Sequence, residues 1–580
     1  MYSTKFGLLR QLLFVYQIFL LAYANDENDL IVETKLGKLK GFIIELENSE
    51  KADIFLNIPF AKPPVGELRF EKPQPPEPWS GIRESTNFGP SCMPHVRRGG
   101  FGTLEDYSED CLTLNVFRPH KKSDQEEGYP VLVWVHGGGF VVGSASHTGF
   151  VNVTNNFIPQ DIIVVSIQYR LGPFGWLSTG DSVFPGNIGF WDQTAALKFI
   201  HENIAYFGGN PNKLTVWGVS AGGVSVSALT LSPHSRDYVS GSVEMSGSTF
   251  AAWASNDVVI DVTKELAKAL NCGNEDSKKV KDCLKSKTVD EILEAVKETG
   301  PSRKGINFSK YEPRVDGDFF PEDYLELIKN APKKPAMIGF TEVESAIFTL
   351  IMGDQTITSV YIPFEKYQEF GEDSLKQFIK EYVASEAIFG EKAQEVQDKV
   401  FEFYGVRNQP KNVDYKFYLD RYTQILSDTQ FIIPGLLTAQ EKLKNGWPVY
   451  LYQNEHYNKK NFPDDFPVKG ALHGSEYTYL HGTTFGPMEF DEDDRKFQKL
   501  LTESVANFVK TGNPSIKQLD WPKLNKNHPL RYASLKVDAT IHEPLLKDRV
   551  DFWDGLTKNY SYNIIRGLFT NELKKEKEEL

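Results

Sequence analysis

A chain of 580 residues with 40% hydrophobic residues, nine Trp and forty Phe can bury a large core, which excludes disordered and collagen-like classes. Its formal net charge of −14 argues against nucleic acid as a partner, because an acidic surface repels a phosphate backbone. No internal repeat is visible.

The first element reads as an export signal. Residues 1–24, "MYSTKFGLLRQLLFVYQIFLLAYA", place Lys5 and Arg10 before a short apolar run and end on Ala22-Tyr23-Ala24. That is the layout of a cleaved signal peptide. A membrane span needs about 20 apolar residues, and this run is shorter. No later stretch is long and apolar enough to span a bilayer. Cleavage after Ala24 removes both cations and no acid, so the mature chain is more acidic still. Four cysteines follow: Cys92, Cys111, Cys272 and Cys283. An even count in an exported chain points to disulfides, with three pairings open. Joining Cys92 to Cys111 and Cys272 to Cys283 closes two small loops. Neither spacing is CxxC, which argues against zinc. Sequons at Asn152, Asn307 and Asn559 fit the secretory route.

Next come short apolar runs: "PVLVWVHG", "DIIVVSIQYR", "KLTVWGVS", "SGSVEMSGS", "KPAMIGFT" and "PVYLYQNEH". They lack clean alternation, as expected of parallel strands covered on both faces. Helical patterns such as "WDQTAALKFIHENIAYFG" lie between them. Strands alternating with helices predict an α/β fold with a large, mostly parallel sheet and helices on both faces. In such sheets, chemistry gathers beyond the carboxyl ends of the strands.

Two of those ends stand out. "WVHGGGFVVG" follows a buried strand with Gly137, Gly138 and Gly139, where backbone N–H groups can face a reacting oxygen unobstructed. "KLTVWGVSAGGVSVSALTLS" is a strand, an abrupt turn and a helix, with Ser220 at the turn between Gly218 and Gly222. The G-x-S-x-G pattern by itself is weak, since a serine in a Gly-rich turn is more often structural. The strand-before, helix-after context makes it a nucleophile elbow, in which the glycines leave room for a strained serine lifted clear of the sheet. The N-terminus of the following helix turns partial positive charge toward the same spot. Gly138, Gly139 and Ala221 are the candidate oxyanion donors.

Read together, these residues resemble the type-B carboxylesterase/cholinesterase family of α/β-hydrolases. The likeness covers nearly all of the mature chain. It runs through "NIPFAKPPVGELRF", "SEDCLTLNVF", "HGGGF", "YRLGPFGWL", "GNIGFWDQTAALKFIHENIAYFGGNPNKLTVWGVSAGG" and "EMSGS". Each match is modest; the ordered set is specific. Within the family, "HGSEYTYLHG", "EMSGS" and Val219 resemble invertebrate gut-type esterases, nematode ones especially.

The resemblance implies a triad in the order Ser, Glu, His. Ser220 is the serine. Glu344 in "IGFTEVESAIF" is the matching acid, with Glu342 its rival two residues earlier. His473 in "VKGALHGSEYTYLHG" is the matching base, with His481 its rival. Ser246 in "EMSGS" resembles the family serine that hydrogen-bonds near the buried acid. Arg69 with Glu109, and Arg170 with Asp192, resemble internal salt bridges of the family. The local cysteine pairing matches the family's first two disulfides, and a third family disulfide has no cysteines here.

Two departures bear on substrate. The residue before the family serine is commonly glutamate, and here it is Val219. "GGFGTLEDYSEDC" lacks the tryptophan with which cholinesterases hold a quaternary ammonium, and Phe101 lies near that position. Neutral, small to medium esters are therefore the expected substrates, with no metal or organic cofactor needed. Three other readings compete: an esterase that sequesters esters or organophosphates by staying acylated, a lipase, and a non-catalytic adhesion module on the same fold. A complete triad and no following membrane span weigh against the last, and no amphipathic lid stands out.

The expected organisation is a signal peptide over 1–24, a carboxylesterase domain over 25–565 and a charged tail over 566–580. The tail ends Lys577-Glu578-Glu579-Leu580, a variant of the K-D-E-L retrieval signal with Glu for Asp. A luminal endoplasmic-reticulum esterase that meets a K-D-E-L-type receptor is the expectation, with secretion the alternative.

Overall fold

Eleven strands form one sheet in the computed structural model, which describes residues 30–96, 107–147, 149–273, 275–301, 306, 309–353, 359–482 and 489–570. The leader, Phe101, Asn307 and residues 571–580 with the terminal Lys-Glu-Glu-Leu lie outside these. In chain order the strands are β1 (Phe42–Glu45), β2 (Lys51–Pro59), β3 (Thr113–Pro119), β4 (Tyr129–Val135), β5 (Ile163–Ile167) and β6 (Gly209–Val219). Then come β7 (Gly241–Met245), β8 (Ala336–Thr341), β9 (Val449–Asn454), β10 (Tyr532–Leu535) and β11 (Thr540–His542). Across the sheet the order is β1-β2-β3-β5-β4-β6-β7-β8-β9-β10-β11.

From β5 to β10 all neighbours are parallel. Antiparallel β1, β2 and β3 close one edge and β11 the other. All six apolar runs of the sequence are strands of the parallel part. Each is buried on both faces, and successive side chains enter different cores. Val131, Val133 and Val135 of β4 join one apolar cluster, while Leu132 and Trp134 join the other.

The helices that place the site are α1 (Ile188–Asn203), α2 (Ala221–Leu231), α3 (Tyr415–Ser427), α4 (Ile433–Lys444), α5 (Ser475–His481), α6 (Glu492–Thr511) and α7 (Lys547–Tyr560). The helix expected over 191–208 is α1, continued by a tighter turn at Ile204–Phe207 and stopped at Gly208, whose φ is 80°. Every residue of α2 is buried, as a helix wedged behind β6 and β7 must be.

Between β8 and β9 a long insertion, 345–446, forms a helical cap. Five-residue π turns stand at Ile347–Ile351, end helices at Ile379–Val383 and Glu402–Val406, and join α3 to α4 at Asp428–Ile432. Lys442 of α4 anchors the cap to the sheet through an ion pair with Glu244 of β7, both fully buried. Cys92 is bonded to Cys111, and Cys272 to Cys283. Arg69 meets Glu109 at 2.5 Å and Arg170 meets Asp192 at 2.7 Å. Among the described residues no helix is long and apolar enough to cross a membrane.

Candidate active site

β6 ends at Val219 and α2 starts at Ala221, so Ser220 alone makes the turn. Its backbone stands at φ 60°, ψ −126°, a conformation L residues avoid. Backbone contacts hold it there. The Ser220 N–H donates to the Met245 carbonyl and the Ser220 carbonyl accepts from the Val224 N–H, both at 2.9 Å. A methyl at Gly222 would come within 2.2 Å of the Val135 carbonyl oxygen, and one at Gly218 within 2.4 Å of the Gly222 carbonyl. The two glycines let strand, turn and helix close up.

The acid and base loops are tied to each other. Beyond β8, the Val343 N–H donates to the Ala471 carbonyl at 3.1 Å, and Val343 bridges Leu472 in parallel register. One residue on in each strand, Glu344 meets His473. Nδ1 of His473 lies 2.5 Å from Oε2 of Glu344. Oε1 accepts from Ser246 Oγ and from the Thr341 N–H, each at 2.7 Å. Glu344 is fully buried, and these partners compensate for its lost hydration. Glu342 is exposed.

The other ring nitrogen, Nε2 of His473, is buried and has no hydrogen-bond partner among the described residues. The ring packs against Phe431 at 4.4 Å and Phe348 at 5.2 Å between centroids. His481 sits elsewhere, boxed by Trp134, Trp217 and Tyr477 at 4.5, 4.7 and 4.5 Å. Burial pushes its pKa down to about 3, so it is a neutral core ring. His136, also buried, is pushed down to about 4 and stacks on Tyr169 at 4.4 Å.

The glycine loop follows β4. Among the described residues no acceptor takes the N–H groups of Gly138, Gly139 or Ala221. Ser309 Oγ donates to the Gly139 carbonyl oxygen at 2.9 Å, which ties the loop to the segment between β7 and β8. Ser220, His473 and the three loop glycines line one cavity of about 950 Å³, open space at its mouth included. Its walls are Trp134, Val219, Trp253, Phe348, Phe431 and Tyr477. Among the described residues no Asp, Glu, Lys or Arg lines it. Nor does any group of three His, Cys, Asp or Glu among them stand where it could hold a metal.

The aromatic walls were not legible in the sequence. Trp253, Phe348 and Phe431 come from separate segments, and nothing in their local patterns marks them. Glu476, three residues after His473, was also missed. It is fully buried, and burial with the nearby Glu344 charge raises its pKa to about 8. Tyr452 Oη donates to it at 3.1 Å.

Parallel strands ending in a nucleophile elbow, with helices on both faces, define an α/β-hydrolase. The sequence profile of the carboxylesterase family matches residues 28–553. Gut esterase 1 of Caenorhabditis briggsae is 36% identical over 559 residues, covering 95% of this chain and 97% of that protein. An acylcarnitine hydrolase of Rattus norvegicus is 32% identical, covering 95% of this chain and 94% of its own. A pyrethroid hydrolase of the same species is 31% identical, covering 92% and 91%. The chain belongs to the carboxylesterase family and is a serine hydrolase of carboxylic esters. The likeness to nematode gut esterases, expected from the sequence, is found.

Proposed function

We propose that this carboxylesterase hydrolyses neutral, small to medium esters through an acyl-Ser220 intermediate. One observation carries the reading. A histidine whose Nδ1 is bound by a buried carboxylate keeps Nε2 without a partner among the described residues, in a cavity it shares with an elbow serine.

His473 Nε2 takes the proton of Ser220 as Oγ attacks the ester carbonyl. The carbonyl π electrons move to oxygen, and the N–H groups of Gly138, Gly139 and Ala221 receive that oxyanion. Each such donor is worth about 3–4 kcal/mol of barrier. Glu344 holds the imidazole with its proton on Nδ1 and stabilises the imidazolium. The tetrahedral adduct collapses, the C–O bond to the alcohol breaks, and His473 protonates the departing alkoxide. Water then gives its proton to the same nitrogen as it attacks the acyl carbon; the second adduct collapses, the bond from the acyl carbon to Oγ breaks, and His473 returns the proton to Oγ, releasing the acid and free Ser220. Ser246 and the Thr341 N–H keep Glu344 oriented.

The uncharged lining favours neutral substrates. Of the chemistries named in the relatives, pyrethroids are neutral esters, whereas acylcarnitines carry a quaternary ammonium that this cavity meets with no carboxylate among the described residues. Ser220→Ala should abolish hydrolysis with the fold intact, and an organophosphate probe should label the wild type at Ser220 alone. Undiminished turnover, or label on the variant, would sink the assignment.

The leader, the sequons and the Lys-Glu-Glu-Leu terminus support residence in the endoplasmic-reticulum lumen. Asn152 and Asn559 are exposed, as a glycan requires. Expressed in animal cells, the protein should stay cell-associated with immature glycans. Deleting residues 577–580 should release it to the medium. Equal secretion of both forms would show that the terminus is inert.

A further inference from the structure

The segment from Ser427 to Phe431 touches the acid loop, His473 and two of the aromatic walls. Ser427 Oγ accepts from the N–H of Ser345, the residue after Glu344, at 2.9 Å. The Gln430 carbonyl accepts from Trp253 Nε1 at 2.8 Å. Phe431 packs on His473 at 4.4 Å, stacks with Phe348 at 5.9 Å and 13°, and lies 5.9 Å from Trp253. All but Ser427 belong to the π turn Asp428–Ile432, the one break in an otherwise continuous α3–α4 helix.

A π turn carries one residue more than the α-helix, and each helical residue turns about 100°. The insertion therefore sets where Phe431 aims. A regular helix is the competing state, so something must hold the turn. Asp428, its first residue, is fully buried. It accepts from Tyr404 Oη at 2.6 Å and from Arg549 Nη1 at 2.9 Å. Trp553 Nε1 donates to Tyr404 Oη at 2.9 Å. Arg549 and Trp553 both stand on α7, late in the chain and remote in sequence from every element of the triad.

We propose that Arg549, through its ion pair with Asp428, is a positioning residue that sets how bulky a substrate the esterase accepts. It does so by fixing the π turn that presses Phe431 against His473. Without Arg549 the Asp428 carboxylate is buried with no cation, and relief comes by proton uptake or by letting the turn relax. Where the turn relaxes, Phe431 loses its fixed seat, while the contacts of Ser220 and the glycine loop are untouched. The proposal rests on the reading of Ser220 and His473 as the reacting pair.

The test compares kcat/KM for an acetate ester and for its benzoate and decanoate counterparts of the same alcohol, alongside Tm. Arg549→Met should raise the bulky-to-acetate ratio by about tenfold, the size of discrimination a hydrophobic wall provides. Arg549→Lys, which keeps a cation, should stay within about twofold of wild type. Phe431→Ala should shift the ratio the same way, and adding it to Arg549→Met should bring little more, because both act on one wall. Should Arg549→Met not fold, Tyr404→Phe removes one of the Asp428 partners more gently and should move the ratio in the same direction. A lower Tm with the ratio unchanged would make Arg549 a structural residue only and overturn the proposal. So would fully additive effects of Phe431→Ala and Arg549→Met. Activity surviving in Ser220→Ala would overturn the reading of the reacting pair instead, and the ratio would still report on the wall.

Discussion

Ser220 and Phe431 line the same cavity, yet they are held by different kinds of contact. At the strand tips the main chain does the holding. Ser220 is bonded through its own N–H and carbonyl, and the Glu344 and His473 loops are bridged backbone to backbone at Val343 and Leu472. In the helical cap, side chains do it: Asp428 with Arg549 and Tyr404, Lys442 with Glu244, Trp253 with a freed carbonyl. The first kind of contact survives most substitutions, because every residue has a backbone. The second changes whenever one side chain changes. Reacting groups on the rigid tips and size limits on the cap let selectivity drift while chemistry stays put.

Glu344→Gln is the sharpest probe of the strand tips. An amide holds the wrong tautomer of His473, and the rate should fall about 10⁴-fold, whereas exposed Glu342→Gln should stay within about twofold. Reversed effects in ester turnover would shift the acid by two residues. The cap anchor comes next. Lys442→Met leaves Glu244 buried without its cation and should cost about 3–5 kcal/mol in denaturant unfolding, while adding Glu244→Leu should recover much of it. If the single variant unfolds like wild type, the anchor carries no weight.

The cavity lining gives a smaller effect. Acetylcholine should be at least about tenfold poorer in kcat/KM than its neutral carbon isostere, since among the described residues no carboxylate lines the cavity to offset desolvation of the cation, and the aromatic walls alone return little of that cost. Equal values would mean that residues beyond the described walls reach the substrate.

Glu476 offers the mildest test. Its folded pKa, about 8, is raised from an ordinary 4.5, so the native state keeps a proton that the unfolded state releases. The stability it contributes is therefore complete below pH 4.5 and is lost as pH rises to about 8. Glu476→Gln removes the titration, so its Tm should fall less than wild type between pH 5 and pH 8. Parallel Tm curves would place the titration elsewhere.

The sequence carried the strand tips far better than the cap. Six of the seven parallel strands were legible because burial on both faces writes itself as an unbroken apolar run; β10, four residues long, was not. The antiparallel edge was not, since β1 to β3 mix polar and apolar residues without a clean period. Glycines at 137, 138, 218 and 222 announced themselves because only glycine fits where backbone meets backbone, and Gly139 because its φ of 59° favours glycine.

Choosing Glu344 over Glu342, and His473 over His481, needed the family resemblance, because no local pattern separates them. The structure separates them by contact: the Val343–Leu472 bridge brings the two loops together so that Glu344 meets His473, while Glu342 is exposed and His481 is boxed by Trp134, Trp217 and Tyr477. The aromatic walls, the π turns and the pairing of Asp428 with Arg549 could be decided only by tertiary structure. Each joins segments distant in the chain through side chains that any apolar or charged surface could also carry. Local sequence determined where the backbone had to bend and what could react there. Long-range packing decided what stands around it, because that depends on which surfaces meet, and a contact between distant segments leaves no period or spacing in either one.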